Sequence, residues 1–582
     1  MPGIVGFTAP LTSDPNAPRI LQRMQDMVTH FDSYQRAPLF SDEMVGVTHS
    51  DKAIIQRGPQ PFEKDGVFVW FDGELFKRDR LAVGRSTAEA YEPTEIMCRL
   101  FQEDPHFSFL KRIDGIYSCV IYDSLKGMVH LITDRYGLRY LYWSIFQEGL
   151  VWASELKAML ALPGFQPKIE RDGVPEFMID GYLWGNRSWF QGVHLLAPGT
   201  VLTWNIEKRS AHEYQYWGWQ DIRPRTGRID ETEVADEMAA LFIDAVKSRC
   251  LPGERIGVLL SGGLDSRALL AATPVRDQPV LAVTFGKADC VDCQIAERAA
   301  QVKGAPFRLL ELTKDNFMDG RLAGVWWNDG QPSLLDMHVS TLLPQGRNLC
   351  DIFLDGFLGD VFMGGSYLKP FGKGELWKIE NRGRRFIVNG PRYYGTWLEY
   401  RLPFADNDLI DLLMSLPREV RAKHHLYKIM LLRTFRELYE DIPWFDTMAA
   451  IKLPRMGAQG PLLKHRWVLE WFVTAIQRRL NRSRWQRLNY TDYPEWIRKE
   501  PAKSFFASVL TNASALYPEF VSRDQVVKAW KEHLEGADHA KMLFLHVTFE
   551  IWLQQVFEGR FRPGADGVPY ALTAMMQAPP VH

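Results

Sequence analysis

Short apolar runs broken by turn residues fill the first third of the chain. GVFVWF (66–71), CVIY (119–122), MVHLIT (128–133) and GLVWA (149–153) each have the length of a strand, and the turn signals between them predict a sheet-based domain. APGTVLTW (197–204) reads as its closing strand, and the polar QDIRPRTGRIDETE (220–233) as linker. From about residue 231 the period changes. ETEVADEMAALFIDAVKSRC repeats apolar residues at helical spacing. RIGVLL (255–260) is then a strand, followed by a glycine turn and a helix starting near Asp265. VLAVTF (280–285), the helix VDCQIAERAAQVKG and a third strand FRLLEL (307–312) continue the alternation. Strands alternating with helices predict a parallel sheet covered on both faces. After about 395 the pattern is mostly helical.

Composition changes this picture little. A chain of 582 residues suits two to four domains at roughly 100–200 residues each. The formal net charge of −2 predicts no binding to nucleic acid. No apolar run reaches the roughly 18–20 residues of a membrane span, and MPGIVGFTAPL lacks the basic start of a signal peptide. The six cysteines are sparse, as in a reducing cytoplasm. Cys290 and Cys293 have CxxC spacing, but no second pair exists to complete a structural zinc site.

The chemistry concentrates in RIGVLLSGGLDSRALLAA. A buried strand ends at Leu260, and Ser261, Gly262, Gly263, Leu264, Asp265 and Ser266 turn directly into a helix. Glycines let main chain approach an anion, and a helix start favours negative charge. Strand ends of an open parallel sheet are where ligands sit. The stretch therefore predicts a phosphate site, without the lysine of a GxxxxGK[ST] loop.

SGGLDS after a strand resembles the pyrophosphate-gripping loop of the N-type ATP-pyrophosphatases, and further stretches resemble asparagine synthetases in particular. LDGFLGDVFMGG (354–365) is similar to that family's S-G-E-G-A-D-E-L-F-G-G segment and places Gly356, Asp360, Gly364 and Gly365 on family positions. The resemblance implies ATP and Mg2+ as cofactors, with Asp265 and Asp360 as the metal carboxylates and Gly359 beside the nucleotide. It puts the adenine near Val283, Thr284 and Phe285. LEYRLPFADNDLIDLLMSLP (398–417) and LYKIMLLRTF (426–435) resemble later segments, and FDTMAAIKLP makes Lys452 the cation that offsets charge on the phosphates. Arg267 replaces a common Ser or Thr, Phe357 an acceptor-site Glu or Tyr, and Val361 an acidic residue. Glu399 is a candidate base for the attacking amine. The adjacent His424 and His425 would diverge on a helix and are read as structural. The arginine-rich RRLNRSRWQR (478–487) reads as a solvated helix end, and RMGAQGP (455–461) as a loop beside Lys452.

The first third resembles class II glutamine amidotransferase domains through GIVGF (3–7), QRGPQ (56–60), FDGELFKRDRL (71–81), TDRYGLRYLYW (133–143) and WASELKAML (152–160). That family attacks glutamine with a cysteine directly after Met1. Pro2 stands there, Asp72 replaces the oxyanion-binding Asn, and Pro93 aligns with a glutamine-binding Asp. The glutaminase nucleophile is therefore absent, and Arg57 is read as structural.

The expected fold is α/β. Residues 1–205 form a degenerate amidotransferase-like αββα (amino-terminal-nucleophile) domain, 206–230 a linker, and 231–582 an asparagine synthetase-like ATP-pyrophosphatase domain with a helical tail. The resemblance implies a cytoplasmic ligase that adenylates a small-molecule or peptide carboxylate and transfers it to an amine, as a homodimer or beside a partner enzyme. The amine is free ammonia, an amine of another protein, or one on the substrate itself, as in the β-lactam synthetases and lasso-peptide cyclases. Relatives beside polysaccharide pathways suggest amidation of a uronic acid. The alternatives are an asparagine synthetase fed by ammonia and a non-catalytic scaffold.

Overall fold

The computed structural model describes residues 3–55, 58–83, 86–87, 91–275, 277–342, 348–368, 373–452 and 489–563. Two antiparallel sheets stack in the amino-terminal domain. The first centres on β1 (Ile4–Thr8), β2 (Val45–Asp51) and a hairpin. The second contains β3 (Val67–Phe76), β4 (Asp114–Asp123), β5 (Met128–Thr133) and β6 (Thr200–Asn205). β3 and β4 pair over their whole length, Val67 against Asp123 through Phe76 against Asp114. Ile4 and Val47 from one sheet pack with Trp70, Val120, Leu131 and Trp204 from the other. Helices α1 (Ala17–Val28) and α2 (Pro93–Glu103) cover the outer faces, giving the expected αββα layers. The sheet also takes one further strand, β7 (Ser210–Gln215), paired to β6 beyond residue 205. All six of its residues are exposed, so its sequence carries no apolar signal.

Helix α3 (Glu231–Ser248) opens the second domain, capped by Asp230, whose carboxylate accepts from the N–H groups of Thr232 and Glu233. The sheet contains β8 (Ile256–Leu259), β9 (Leu281–Gly286), β10 (Phe307–Glu311), β11 (Ile352–Leu354) and β12 (Glu399–Arg401), in the order β10-β9-β8-β11-β12. Every pairing is parallel. α4 (Leu264–Ala272) and α5 (Val291–Lys303) follow β8 and β9. The last helix among the described residues is Ala540–Phe557, whose residues from Leu543 to Val556 are all buried. Its Trp552 stacks on Phe190 of the first domain.

Buried charge joins the domains. Arg401 meets Glu74 at 2.7 Å and Glu254 at 2.6 Å. Arg384 donates to the carbonyls of Gly137 and Leu196 at 3.0 and 2.7 Å. Lys52 meets Glu399 at 2.8 Å with both side chains buried. Glu399 is thus a buried interdomain ion-pair partner, which speaks against its role as a base for an amine. Arg57 lies outside the described residues.

Candidate active site

The phosphate loop is braced from three sides. The Ser261 N–H donates to the Ser266 Oγ at 2.9 Å, and the two hydroxyls lie 2.9 Å apart. The Gly262 N–H donates to the Asp292 Oδ1 at 2.8 Å, and the Phe445 N–H donates to the Gly262 carbonyl at 3.2 Å. A Cβ at Gly262 would stand 2.9 Å from the Asp292 oxygen, so a side chain there would push that carboxylate aside. Gly263 caps α4 with no side-chain hydrogen bond, which leaves first-turn N–H groups for an anion. Arg267 neither faces solvent nor points at the loop mouth. It is buried, donates to the carbonyls of Gly263 and Leu438 at 2.9 and 3.0 Å and lies over the Tyr439 ring.

Asp265 and Asp360, 95 residues apart, come together here. Asp360 sits in the short helix α6 (Gly359–Phe362), and its N–H donates to the Asp265 Oδ2 at 2.6 Å. Burial, and then the Asp360 charge, push the Asp265 carboxyl up to about 7. Two residues unforeseen as site members complete the cluster. The Tyr427 hydroxyl donates to the Asp265 Oδ1 at 2.9 Å, and the His424 Nε2 lies 2.7 Å from the Asp360 Oδ1. His424, with φ of 59°, precedes α7 (His425–Thr434). His425 diverges as expected, to Glu231 at 2.9 Å. The only signal for this pair was their spacing of one helical turn beside LYKIMLLRTF. Among the described residues no group of three or more His, Cys, Asp or Glu forms a metal cage. Two carboxylates completed by phosphate oxygens is instead the pattern of magnesium.

Gly359 fixes this approach, because a Cβ there would stand 2.4 Å from the Asp265 Cγ. Gly359→Ala is expected to cost about 1–3 kcal/mol, as overpacking does, and to displace the Asp265 carboxylate. Thermal unfolding and nucleotide binding check it; wild-type values for both would refute the close packing.

The remaining expected residues scatter more widely. Val283 and Thr284 are fully buried. Thr284 Oγ1 donates to the Leu260 carbonyl at 2.9 Å, so both support the loop from below. Phe285 is half-buried, stacked on His338 and edge-on to Tyr490. Lys452 is exposed and has no hydrogen bond or ion pair among the described residues. Residues 455–461 and 478–487, and Pro2, lie outside the described residues. Phe357 is 37% exposed, while Val361 is buried. In the amino-terminal domain, Asp72 is buried and paired to Arg139 at 2.6 and 2.5 Å. Burial opposes ionisation there, but Arg139 and His49 hold the Asp72 carboxyl far below the usual range. That neutralising arginine was not foreseen.

Comparison with known proteins places the two domains in families. A family model described as a glutamine amidotransferase domain matches residues 1–217, and one described as asparagine synthase matches 237–382. A glutamine-hydrolysing asparagine synthetase of Bacillus subtilis is 26% identical over 46% of this chain and 37% of its own. A putative one of Methanocaldococcus jannaschii is 27% identical over 40% of this chain and 48% of its own. The human asparagine synthetase is 25% identical over 66% of this chain and 72% of its own. The matched part thus spans less than half the length of the first two relatives.

Proposed function

The chain belongs to the asparagine synthetase superfamily, and on that premise we propose that it is an ATP-dependent carbon–nitrogen ligase. It activates a substrate carboxylate as an acyl-adenylate and passes the acyl group to an amine. The observation that carries this reading is the meeting of Asp265 and Asp360 beside an uncapped helix start at the end of a parallel strand.

In the first step a carboxylate oxygen attacks the α-phosphorus of ATP, and the bond to the β-phosphate oxygen breaks. The departing pyrophosphate is received by the first turn of α4 and by the Ser261 and Ser266 hydroxyls. Positioning and fixed charge supply most of the rate. Asp265 and Asp360 fit a magnesium ion, since a half-buried, desolvated carboxylate beside a second one is relieved by a cation. When bound, magnesium supplies charge that polarises the phosphate oxygens. Lys452, exposed and without a partner of its own among the described residues, is assigned to the same charge. In the second step the amine nitrogen attacks the acyl carbon, AMP leaves and a proton departs from nitrogen.

The amine does not come from glutamine in this reading. Pro2 offers no thiol, and Asp72, at the position that the resemblance gives to an oxyanion-binding Asn, is a carboxylate paired to Arg139. Phe357 neither accepts a proton nor binds a metal, which weighs against aspartate as the acid. No helix among the described residues is long and apolar enough to cross a membrane, and the sparse cysteines suit a cytoplasmic enzyme in this reading.

The test is incubation with ATP, Mg2+ and a panel of small-molecule and peptide acids. Acid-dependent release of pyrophosphate and AMP, with no glutamine hydrolysis, is expected. Release of ADP would refute adenylation. No release with any acid, including aspartate with ammonia, would leave the scaffold reading in its place.

A further inference from the structure

One motif outside this chemistry lies against it. Cys290 and Cys293 are both buried, at 0% and 3% exposure. Their sulfurs are 2.8 Å apart. Cys290 is the N-cap of α5, and its sulfur accepts from the Cys293 N–H at 3.3 Å. Between them stands Asp292, whose carboxylate accepts the Gly262 N–H of the phosphate loop. Cys293 also borders the end of β9, since a Cβ on Gly286 would lie 3.4 Å from its sulfur. The described residues thus hold two thiols in contact, on the turn of helix that carries one brace of the nucleotide loop.

The geometry points to Cys290 and Cys293 as a reversible dithiol–disulfide site that controls the phosphate loop through Asp292. This rests on the ligase reading only for its effect on activity. Closing a disulfide demands a specific geometry of both cysteines. Residues 290 and 293 span the first turn of α5, so drawing the sulfurs into a bond repositions that turn and with it Asp292. Gly262 then loses its acceptor.

The chemistry balances with a hydroperoxide as oxidant. The Cys290 sulfur attacks the peroxide oxygen, the O–O bond breaks, and a sulfenic acid and one water (or alcohol) result. The Cys293 sulfur then displaces the sulfenic oxygen as a second water, and the S–S bond forms. Cys290 suits the first role: its hydrogen-bonding contact with the Cys293 sulfur lowers its pKa, against burial, while the Cys293 thiol is pushed up. A CxxC at a helix start is where such polarity arises. Ala288 and Asp289, which lead into the pair, are exposed, so access requires only that the first turn open.

The experiment uses the full chain, reduced and then treated with hydrogen peroxide. Peptide mapping without reductant reads the bond, and amide hydrogen exchange reads the loop. A Cys290–Cys293 disulfide is expected, with exchange of the peptide containing Gly262 faster by about ten-fold or more, as for loss of a hydrogen bond to a charged group. Acid-dependent pyrophosphate release should fall in parallel, and dithiothreitol should restore both. In Cys293→Ser, Cys290 should stop at the sulfenic acid, trapped by dimedone, with the loop unchanged. Failure of the disulfide to form, its formation without faster exchange, or an equal loop response in Cys293→Ser would each overturn the proposal. If the reduced protein releases no pyrophosphate with any acid, the ligase reading fails while the bond and the exchange still decide this one.

Discussion

Asp265→Asn is expected to lose acid-dependent pyrophosphate release by about 10²–10³-fold or more, the scale of removing a fixed charge-stabilising group, while raising the melting temperature in magnesium-free buffer. Both effects have one cause. Asp265 is half-buried, and desolvation of its carboxylate, followed by the Asp360 charge, pushes its pKa up to about 7, so its charge costs the resting fold stability. The amide keeps the shape and still accepts the Asp360 N–H now held at 2.6 Å. Its NH2 can donate to the Tyr427 oxygen, reversing the present bond. Removing about 1 kcal/mol of this repulsion corresponds to roughly 1–2 °C for a domain of this size, since the shift falls as the unfolding entropy grows with length. A site that costs stability for the sake of function is a general pattern. Thermal unfolding with and without MgCl2 separates the causes. Magnesium should raise the wild-type melting temperature and leave Asp265→Asn unmoved. Undiminished pyrophosphate release in the variant would end the metal assignment, and an unchanged melting temperature in magnesium-free buffer would refute the repulsion.

That pair was legible through the resemblance of its two segments to those of asparagine synthetases, and the glycines in them have a physical reason. SGGLDS and LDGFLGD each set an aspartate among residues that let main chain come near, and Gly359 now shows the reason. MVHLIT and GLVWA were legible as strands because their apolar residues are buried where they stand. β12 was not. It is three residues long, and its Glu399 and Arg401 are buried only because Lys52, Glu74 and Glu254 meet them from elsewhere in the chain. β7 was missed for the opposite reason: an edge strand with every side chain exposed needs no apolar pattern. His424 and Tyr427 escaped because adjacent histidines read as a poor metal pair, and a partner 64 residues away leaves no local mark. The role of Arg267 was not legible, since its partners are main-chain carbonyls, which no side-chain pattern announces.

The same buried charge that hid these elements makes Asp406 the expected weak point of the domain interface. Asp406 is fully buried. It caps the helix Asn407–Ser415 by accepting from the N–H groups of Asp408 and Leu409. It also meets Arg249 at 3.0 Å and Lys77 at 2.7 Å. Burial opposes its ionisation, but those two cations hold it down to about 2. Its neighbour Asp114 is pushed up to about 7, by burial first, although Arg249 pulls it down. Asp406→Ala should therefore destabilise the protein by about 3–5 kcal/mol, the cost of leaving a buried cation poorly compensated, with about 1 kcal/mol of that from the lost cap. Asp406→Asn, which keeps an oxygen for the cap, should recover only the smaller part. Asp411→Asn, which breaks a partly exposed pair with Arg135 at 2.7 Å, should cost no more than about 1 kcal/mol. The pH dependence follows from the signs. Asp114 has a folded pKa above its unfolded one, so the fold binds the extra proton and wild-type stability falls as pH rises from about 4 to about 7. Without the Asp406 charge Asp114 ionises more readily beside Arg249 and Lys77, so that decline should shrink in Asp406→Ala. Denaturant unfolding of the three variants between pH 5 and 8 checks all of this. An Asp406→Ala protein within about 1 kcal/mol of wild type, the range of a surface pair, would mean that buried charge does not hold the two domains together.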